Sequence, residues 1–302
     1  MSSKDWFRFW ACGLIWSTSF LWIKIAVGEI SPFVLVGFRT LFAFTGMLIF
    51  ILVGRSTVFE WKKVKAQLAL FALIGFLNVA LPFVLISWGE QYISSGVAST
   101  LNSTTPLFTA ILATFLLQED RLTNRKFLGL LIGFAGVVVL FLPEFRNGST
   151  NNILGLVAVL VASLSYGISG ILIKRHTQGI SSEILVLYQF GFASLITWAA
   201  AFIIENPVGF PKQPLIWTAL VWLGLLASSL ASWFYFGLIK SVGPTRATMV
   251  TYVPPFIGLL LGGIVLHEKL GWQVWLGGLM IVAGIAVVND KYKPKNRKMV
   301  KK

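Results

Sequence analysis

The sequence predicts an all-α integral membrane protein with ten transmembrane helices, arranged as two inverted repeats of five helices each. Three observations predict this fold class: the composition, the recurrence of long apolar runs, and an internal repeat. Of the 302 residues, 56% are hydrophobic and 12% are charged. Soluble domains carry roughly 25% charged residues. The composition therefore argues against a water-soluble fold.

Apolar runs of about 20 residues, the length with which an α-helix crosses the hydrocarbon core, recur between short charged or turn-forming segments. The ten predicted spans cover residues 6–28, 33–53, 66–88, 95–117, 125–142, 152–174, 183–204, 214–238, 244–266 and 272–289. The first run is longer than the apolar core of a signal peptide and has no obvious small-x-small cleavage site. We therefore expect it to be retained as a helix.

Successive loops between spans lie on opposite sides of the membrane, and the positively charged residues are distributed unevenly between these two sides. Of the 25 Lys and Arg residues, 20 fall on the side that holds both termini, three fall on the other side, and two lie within spans. The positive-inside rule then predicts both termini in the cytoplasm of a plasma (inner) membrane protein. This distribution explains the net charge of +14 without a nucleic-acid partner. The basic tail at 291–302 is expected to anchor the topology or contact anionic lipid headgroups, with a regulatory site as the alternative.

The two halves of the chain repeat one another. At an offset of 148 residues Pro106 aligns with Pro254, Gly129 with Gly277 and Gly136 with Gly284. Since each copy holds five spans, an odd number, the second copy must enter the membrane from the opposite side. The predicted division is a first repeat at 1–146, a second repeat at 147–290, and the tail. Inverted repeats are typical of transporters that bind substrate near the midplane and alternate access by rocking one half against the other.

The residues that carry a family resemblance are "IWSTSFLWIK" in the first span, "SPFVLVGFRTLFA" in the second, and the twin blocks ending "EDRL…G…AG" and "EKL…G…AG". Over essentially the whole chain the sequence resembles the drug/metabolite transporter superfamily, and within it the EamA-type ten-helix transporters. The resemblance implies two inverted five-helix repeats around a central cavity that move small metabolites, often outward. Two departures are Asp120, which aligns with Glu268, and Gln189, which lies near the position equivalent to Arg39.

Two charged residues within spans are candidates for binding substrate. Arg39 lies about 10 Å below the start of the second span, where an ionisable group should face the bundle interior, a partner or a cavity. It would bind a carboxylate or phosphate through two hydrogen bonds, or alternatively pair with a backbone carbonyl, Glu29 or Glu90. Lys24, near the end of the first span, either extends its ammonium to the interface or lies in the cavity beside Arg39.

Prolines and polar residues mark further candidates. Pro106 in the fourth span and Pro254 in the ninth predict kinks, which are either stabilised by hydroxyl groups or line a wet cavity. Aromatic and amide side chains within spans offer flat surfaces and hydrogen-bonding groups for a solute. The remaining candidate substrate-binding residues are Trp16, Asn78, Asn102, Thr105, Tyr166, Tyr188, Gln189, Trp233 and Tyr252.

The sequence lacks residues within spans and motifs that several classes of function require, and this excludes or disfavours those classes. The acidic residues fall in loops or at span ends, which disfavours a drug-cation/proton antiporter built on intramembrane carboxylates. The two histidines lie in different loops, and no zinc-like or nucleotide-binding motif occurs. We therefore expect no enzyme activity, no metal and no cofactor.

The expected function is secondary transport of small organic metabolites in the outward direction, with amino acids or related zwitterionic or anionic solutes as the favoured class. The alternative is a non-transporting membrane receptor or scaffold with the same fold, and a channel is third. The small-residue faces at Gly129, Gly133 and Gly136 and at Gly277 and Gly284 predict close helix packing, either within the subunit or in a homodimer.

Overall fold

A computed structural model describes residues 1–53, 65, 67–116, 123–147, 150–205, 208–242 and 248–289. Within these ranges the regular structure is helical, with no strand. The basic tail, Asp120 and most of the basic loop after the second helix lie outside the described residues.

Among the described residues ten helical stretches follow one another, and each overlaps one predicted span. They are α1 Ser3–Ala26, α2 Pro32–Val53, α3 Leu68–Gly89, α4 in two halves (Ser95–Asn102 and Thr105–Leu116), α5 Asn124–Asn147, α6 Thr150–His176, α7 Ser182–Ile204, α8 at 214–242, α9 at 248–265 and α10 Trp272–Asn289.

Length and composition agree with a membrane environment. Over the described residues seven helices, α1–α3 and α5–α8, are long and apolar enough to cross a membrane, while the apolar helices of α9 and α10 are shorter. Large apolar side chains point outward, such as Phe115 (82% exposed) and Ile203 (81% exposed). Many large apolar side chains exposed in this way suit lipid rather than water. The protein is an all-α, multi-span membrane protein.

Three of the serines act as N-caps of helices. The Ser2 hydroxyl accepts from the Asp5 amide, and the Asp5 carboxylate accepts from the Ser2 amide, which forms a capping box at α1. Ser94 caps α4 by accepting from the Val97 amide, and Ser181 caps α7 in the same way. Each cap satisfies an amide that the first turn of a helix leaves without a partner.

Helix packing follows the internal repeat. Helices α2, α4 and α5 pack against their own repeat mates α7, α9 and α10. The contact of α1 with α8 has its mate in the contact of α6 with α3, and the contact of α1 with α9 has its mate in that of α6 with α4. Exchanging each helix for its repeat mate therefore leaves this set of contacts unchanged, as a pseudo-two-fold axis requires.

Glycines at the α5–α10 crossing show the relative direction of the two repeats. Gly129 faces the carbonyl of Gly284, and Gly136 faces the carbonyl of Gly277. Because residue numbers rise along one helix as they fall along the other, α5 and α10 are antiparallel. Since these helices are repeat mates, the repeats are inverted. This packing occupies the glycine faces within the subunit, so a homodimer would have to use another surface.

Candidate functional site

Two π-helical segments lie at equivalent places in the third helix of each repeat. They are Phe76–Ala80 in α3 and Trp222–Leu230 in α8. A π segment disturbs the regular backbone ladder and is frequently found at functional sites. The carbonyl of Leu77 accepts from the Ser165 hydroxyl at 2.6 Å, and the carbonyl of Ala227 accepts from the Trp16 indole nitrogen at 3.0 Å. Polar side chains of the neighbouring helices α6 and α1 thus bond to the backbone of both segments.

Arg39 projects from α2 onto the π segment of α8. Its side chain is 5% exposed, its Nε donates to the Ser228 hydroxyl at 2.9 Å, and its Cζ lies 3.8 Å from the centroid of the Phe83 ring. Ser228 and Phe83 therefore take the place of the carbonyl, Glu29 or Glu90 that the sequence offered as partners. Tyr166 and Glu90 are near enough to interact with its charge.

The same arrangement recurs without a charge in the other half. Gln189 of α7 accepts from the Asn78 amide at 2.9 Å, and the Asn78 oxygen accepts from the Ser169 hydroxyl at 2.8 Å. An offset of 150 residues relates Arg39 to Gln189 and Asn78 to Ser228. The protein thus holds two equivalent polar pairs, Arg39 with Ser228 and Gln189 with Asn78, one charged and one neutral.

Two glycines let the helices carrying these pairs approach closely. A Cβ added to Gly224 would lie 2.9 Å from the Arg39 carbonyl oxygen, and one added to Gly75 would lie 2.8 Å from the Gln189 carbonyl oxygen. A larger residue would push α2 from α8, or α7 from α3, and would separate the polar pairs.

The break in α4 occurs just before Pro106, and hydroxyl groups satisfy the carbonyls that it frees. The Thr105 hydroxyl donates to the Asn102 carbonyl at 2.8 Å, and the Ser163 hydroxyl of α6 lies 3.4 Å from that same oxygen. The Asn102 side-chain oxygen is buried, and within the described residues it has no hydrogen-bond partner. The hydroxyl groups therefore stabilise this break, as one of the two interpretations of the sequence expected, and the lining of a wet cavity stays a prediction.

The mate of this break lies in α9. A 3₁₀ segment, Thr248–Tyr252, precedes the α-helix Val253–Val265, in which Pro254 is the second residue and is buried. Proline fits the first turn of a helix because its missing N–H has no partner there in any case. Tyr252 forms the junction between the two segments and packs against the main apolar core.

Three predicted residues contact partners other than Arg39. The Lys24 ammonium donates to the backbone carbonyls of Glu90 and Ile93, beyond the end of α3. Tyr188 stacks on Phe71, with ring centroids 5.2 Å apart, in a separate apolar cluster. Trp233 packs against the exposed ring of Phe50. Tyr166 lies near Arg39, Trp16 bonds to the π segment that holds Ser228, and Asn78 and Gln189 bond to each other at the other π segment.

Several residues of the site were absent from the sequence-based prediction. Ser228, Phe83 and Ser169 contact predicted residues but carry no motif of their own. The 150-residue offset that relates Arg39 to Gln189 also relates Asn78 to Ser228, and this signal could have identified Ser228. Ring stacking by Phe83 has no such signal, since phenylalanine is common throughout the spans.

One acidic side chain lies deeper than its sequence position suggests. Glu90 directly follows the last residue of α3, yet its side chain is fully buried. Burial raises the pKa of this carboxyl well above its ordinary value. Across the described residues no group of three or more His, Cys, Asp or Glu side chains is arranged to hold a metal ion.

Comparisons with known proteins agree with this architecture. The sequence profile of the EamA-like transporter family matches residues 8–142 and 153–290. The chain is 25% identical over 274 residues to the uncharacterized transporter YoaV of Bacillus subtilis, covering 90% of this chain and 92% of that protein. It is 29% identical over 300 residues to an uncharacterized transporter of Archaeoglobus fulgidus, covering 95% and 99%.

Two further matches extend the comparison. The uncharacterized inner membrane transporter YedA of Escherichia coli K12 is 26% identical over 281 residues, covering 92% of this chain and 89% of that protein. One solved crystal structure matches with a TM-score of 0.67 at 18% identity, over 95% of this chain and 98% of that one. This structural match shows the fold alone.

Proposed function

The chain belongs to the EamA-like transporter family, and on this premise we propose that it is a secondary transporter of small zwitterionic or anionic solutes, with amino acids as the leading class. Transport proceeds by alternating access, in which the repeats at 1–146 and 147–290 rock against each other. The protein acts as a transporter and not as an enzyme.

The main support for this proposal is the burial of the Arg39 guanidinium and its small number of hydrogen-bond partners. The group is buried, and among the described residues only its Nε has a hydrogen-bond partner. It forms no salt bridge with any described residue, so no carboxylate neutralises it by direct contact. A planar guanidinium with two free terminal nitrogens is suited to bind a carboxylate through two parallel hydrogen bonds. An anionic group on the solute would supply the missing counter-charge.

A zwitterion also needs acceptors for its ammonium group. The Asn102 side-chain oxygen is a buried acceptor with no partner among the described residues. Ser163, which contacts the Asn102 carbonyl, and Tyr166, which lies near Arg39, are three residues apart on α6 and so share a face. This face of α6 connects the break in α4 with the charged pair. The arrangement supports a solute that carries both charges.

Location and direction belong to the same proposal. We place the protein in the plasma (inner) membrane with both termini in the cytoplasm, because 20 of the 25 basic residues fall on the side of the termini. The Escherichia coli relative that is named an inner membrane transporter is consistent with this location. We assign export as the direction because the family that the sequence resembles often moves metabolites outward.

Counterflow in proteoliposomes tests the function. Purified protein should accumulate a radiolabelled amino acid against vesicles preloaded with the same unlabelled amino acid. A screen of amino acids and small organic acids identifies the solute. Absence of any solute movement would favour the receptor or scaffold, and movement without stimulation by solute on the opposite side would indicate a channel.

Substitution of Arg39 tests the site. Arg39→Gln should weaken binding of the transported solute by roughly 10- to 100-fold, since hydrogen bonds to charged groups contribute about 1.5–3 kcal/mol. Lys174→Gln, which also removes one positive charge but at an exposed position, is the matched control. A folded Arg39→Gln protein with unchanged affinity would exclude Arg39 from the site.

A further inference from the structure

Polar contacts join the loops at the end of the bundle opposite the chain termini. We call this the distal end; it comprises residues 27–31, 89–95, 208–213 and 266–271. There, the Glu29 carboxylate accepts from the backbone amides of Lys212 and Gln213. The Glu268 carboxylate accepts from the Ser95 amide at 2.7 Å and from the Gly96 amide at 3.2 Å, at the N-terminus of α4.

Glu90 lies beneath these contacts and takes part in none of them through its side chain. It has no exposed surface, and neither carboxyl oxygen has a hydrogen-bond partner within the described part of the chain. The neighbouring Lys24 ammonium donates to the backbone carbonyls of Glu90 and Ile93. An ionised carboxylate beside an ammonium would be expected to attract it. A carboxyl without a hydrogen-bond partner, beside an ammonium that bonds to backbone carbonyls instead, fits the neutral, protonated form.

The charged groups that act on Glu90 come from three elements. They are Lys24 of α1, Arg39 of α2 and Glu268 of the segment after α9. Helix α6, which also packs against the end of α3, contributes Gly155 and Val159 at Gly89, neither of which titrates. Two cations and one anion therefore surround the carboxyl, and its charge state decides how Lys24 is held.

The opposite end of the bundle differs. Lys174, the repeat mate of Lys24, is exposed and has no hydrogen bond to a described residue. The distal end is thus closed by Lys24, while the equivalent lysine of the second repeat is free in water. In the alternating-access cycle this corresponds to a conformation closed at the distal end.

We propose that Glu90 is a proton-binding site whose protonation holds the distal end closed. This inference rests on the proposed function, since it presupposes that the distal end opens during transport. With a proton bound, Glu90 is neutral and Lys24 bonds to the two backbone carbonyls. On loss of the proton, the carboxylate competes for Lys24, withdraws it from the Ile93 carbonyl and admits water, and the end opens.

The direction of the pH effect follows from linkage. Burial raises the pKa of Glu90 in the closed conformation, whereas water reaching the carboxyl on opening returns it towards its ordinary value of 4.5. The closed conformation therefore binds the proton more tightly, and acid favours it. This stabilisation is complete below the ordinary pKa and is lost as the pH rises through the raised pKa.

Cysteine accessibility measures the opening without any solute. In a Cys12→Ala background, Ser95→Cys places a thiol at a distal-end position that is 1% exposed. The rate of alkylation of this cysteine is measured at about pH 5 and at about pH 8. At each pH it is divided by the rate measured for the same cysteine in the Glu90→Gln variant. This division cancels the effect of pH on the thiol itself. The ratio should rise about tenfold or more with pH, because each unit of difference in pKa between two conformations changes their equilibrium tenfold.

Further variants separate this mechanism from others. Glu205→Gln removes a carboxyl at a partly exposed position directly after α7 and should keep the wild-type pH dependence. Lys24→Gln should open the distal end at both pH values and abolish the pH dependence, because it removes the ammonium that bonds to the Glu90 and Ile93 carbonyls. This second variant remains informative if Glu90→Gln does not fold.

A constant ratio across the pH range, or a Lys24→Gln protein that keeps the wild-type pH dependence of labelling, would overturn the proposal. Dependence on sodium instead of pH, tested by replacing sodium with choline, would overturn the assignment to a proton. Since the labelling needs no solute, these results are distinct from a failure of counterflow.

Discussion

At the scale of single residues, the polar pairs show how the protein keeps hydrogen-bonding groups inside an apolar bundle. A buried polar group without a partner costs free energy, and Gln189 is 2% exposed. Asn78 satisfies the Gln189 side-chain oxygen and also accepts from Ser169. One amide therefore connects helices α3, α6 and α7.

Replacement of Asn78 by leucine should destabilise the protein. Asn78→Leu removes both hydrogen bonds and leaves the Gln189 side chain buried and unpaired, at a cost of about 1–3 kcal/mol. Thermal unfolding of the purified protein in detergent should show a lower Tm. The double variant Asn78→Leu/Gln189→Leu, which removes both partners, should recover part of the loss. Equal stability of wild type and Asn78→Leu would show that this hydrogen bond does not contribute to stability.

At the scale of helices, α5 and α10 pack through backbone rather than side chains. A Cβ at Gly136 would lie 2.6 Å from the Gly277 carbonyl oxygen. A main-chain oxygen cannot rotate away as a flexible side chain can. Contact of this kind requires glycine and sets the separation of the two helices.

Gly136→Ala tests this close contact. The added methyl should force α5 and α10 apart and destabilise the fold by about 1–3 kcal/mol, the range for overpacked cores. Gly170→Ala is the matched control, because a Cβ there has no neighbour within 4 Å and alanine favours a helix by up to about 1 kcal/mol. Thermal unfolding of both variants gives the comparison. A Gly136→Ala protein as stable as Gly170→Ala would contradict the packing.

The helices were largely predictable from the sequence, and their irregularities only in part. Apolar runs identify each span because a helix that crosses the hydrocarbon core must be apolar over most of its length. Pro106 and Pro254 identify the breaks in α4 and α9. The π segments have no comparable local signal, since they depend on partners such as Ser165 and Trp16 on neighbouring helices. Arg39 was predictable from its depth in a span. Its partner Ser228 lies 189 residues away in the chain, so only the packing of α2 against α8 brings the two together.

At the scale of the whole molecule, a symmetric framework carries asymmetric charges. The main helix contacts are matched when the repeats are exchanged, but Arg39 is exchanged for neutral Gln189, and bonded Lys24 for exposed Lys174. In the proposed alternating-access mechanism, a duplicated framework gives two related conformations, each closed at one end. Charges that are not duplicated give the two conformations different energies, which allows one bound solute or proton to shift the balance between them.

The orientation of this framework in the membrane can be tested with two exposed loop positions. Gln91 lies in the loop between α3 and α4 at the distal end, and Gln178 lies in the loop between α6 and α7. In a Cys12→Ala background, a membrane-impermeant thiol reagent applied to intact cells should label Gln91→Cys. It should label Gln178→Cys only after permeabilisation, because the odd number of helices from α4 to α6 puts the two loops on opposite sides. Labelling of both cysteines in intact cells would contradict the inverted topology. Labelling of Gln178→Cys alone would contradict the cytoplasmic placement of the termini.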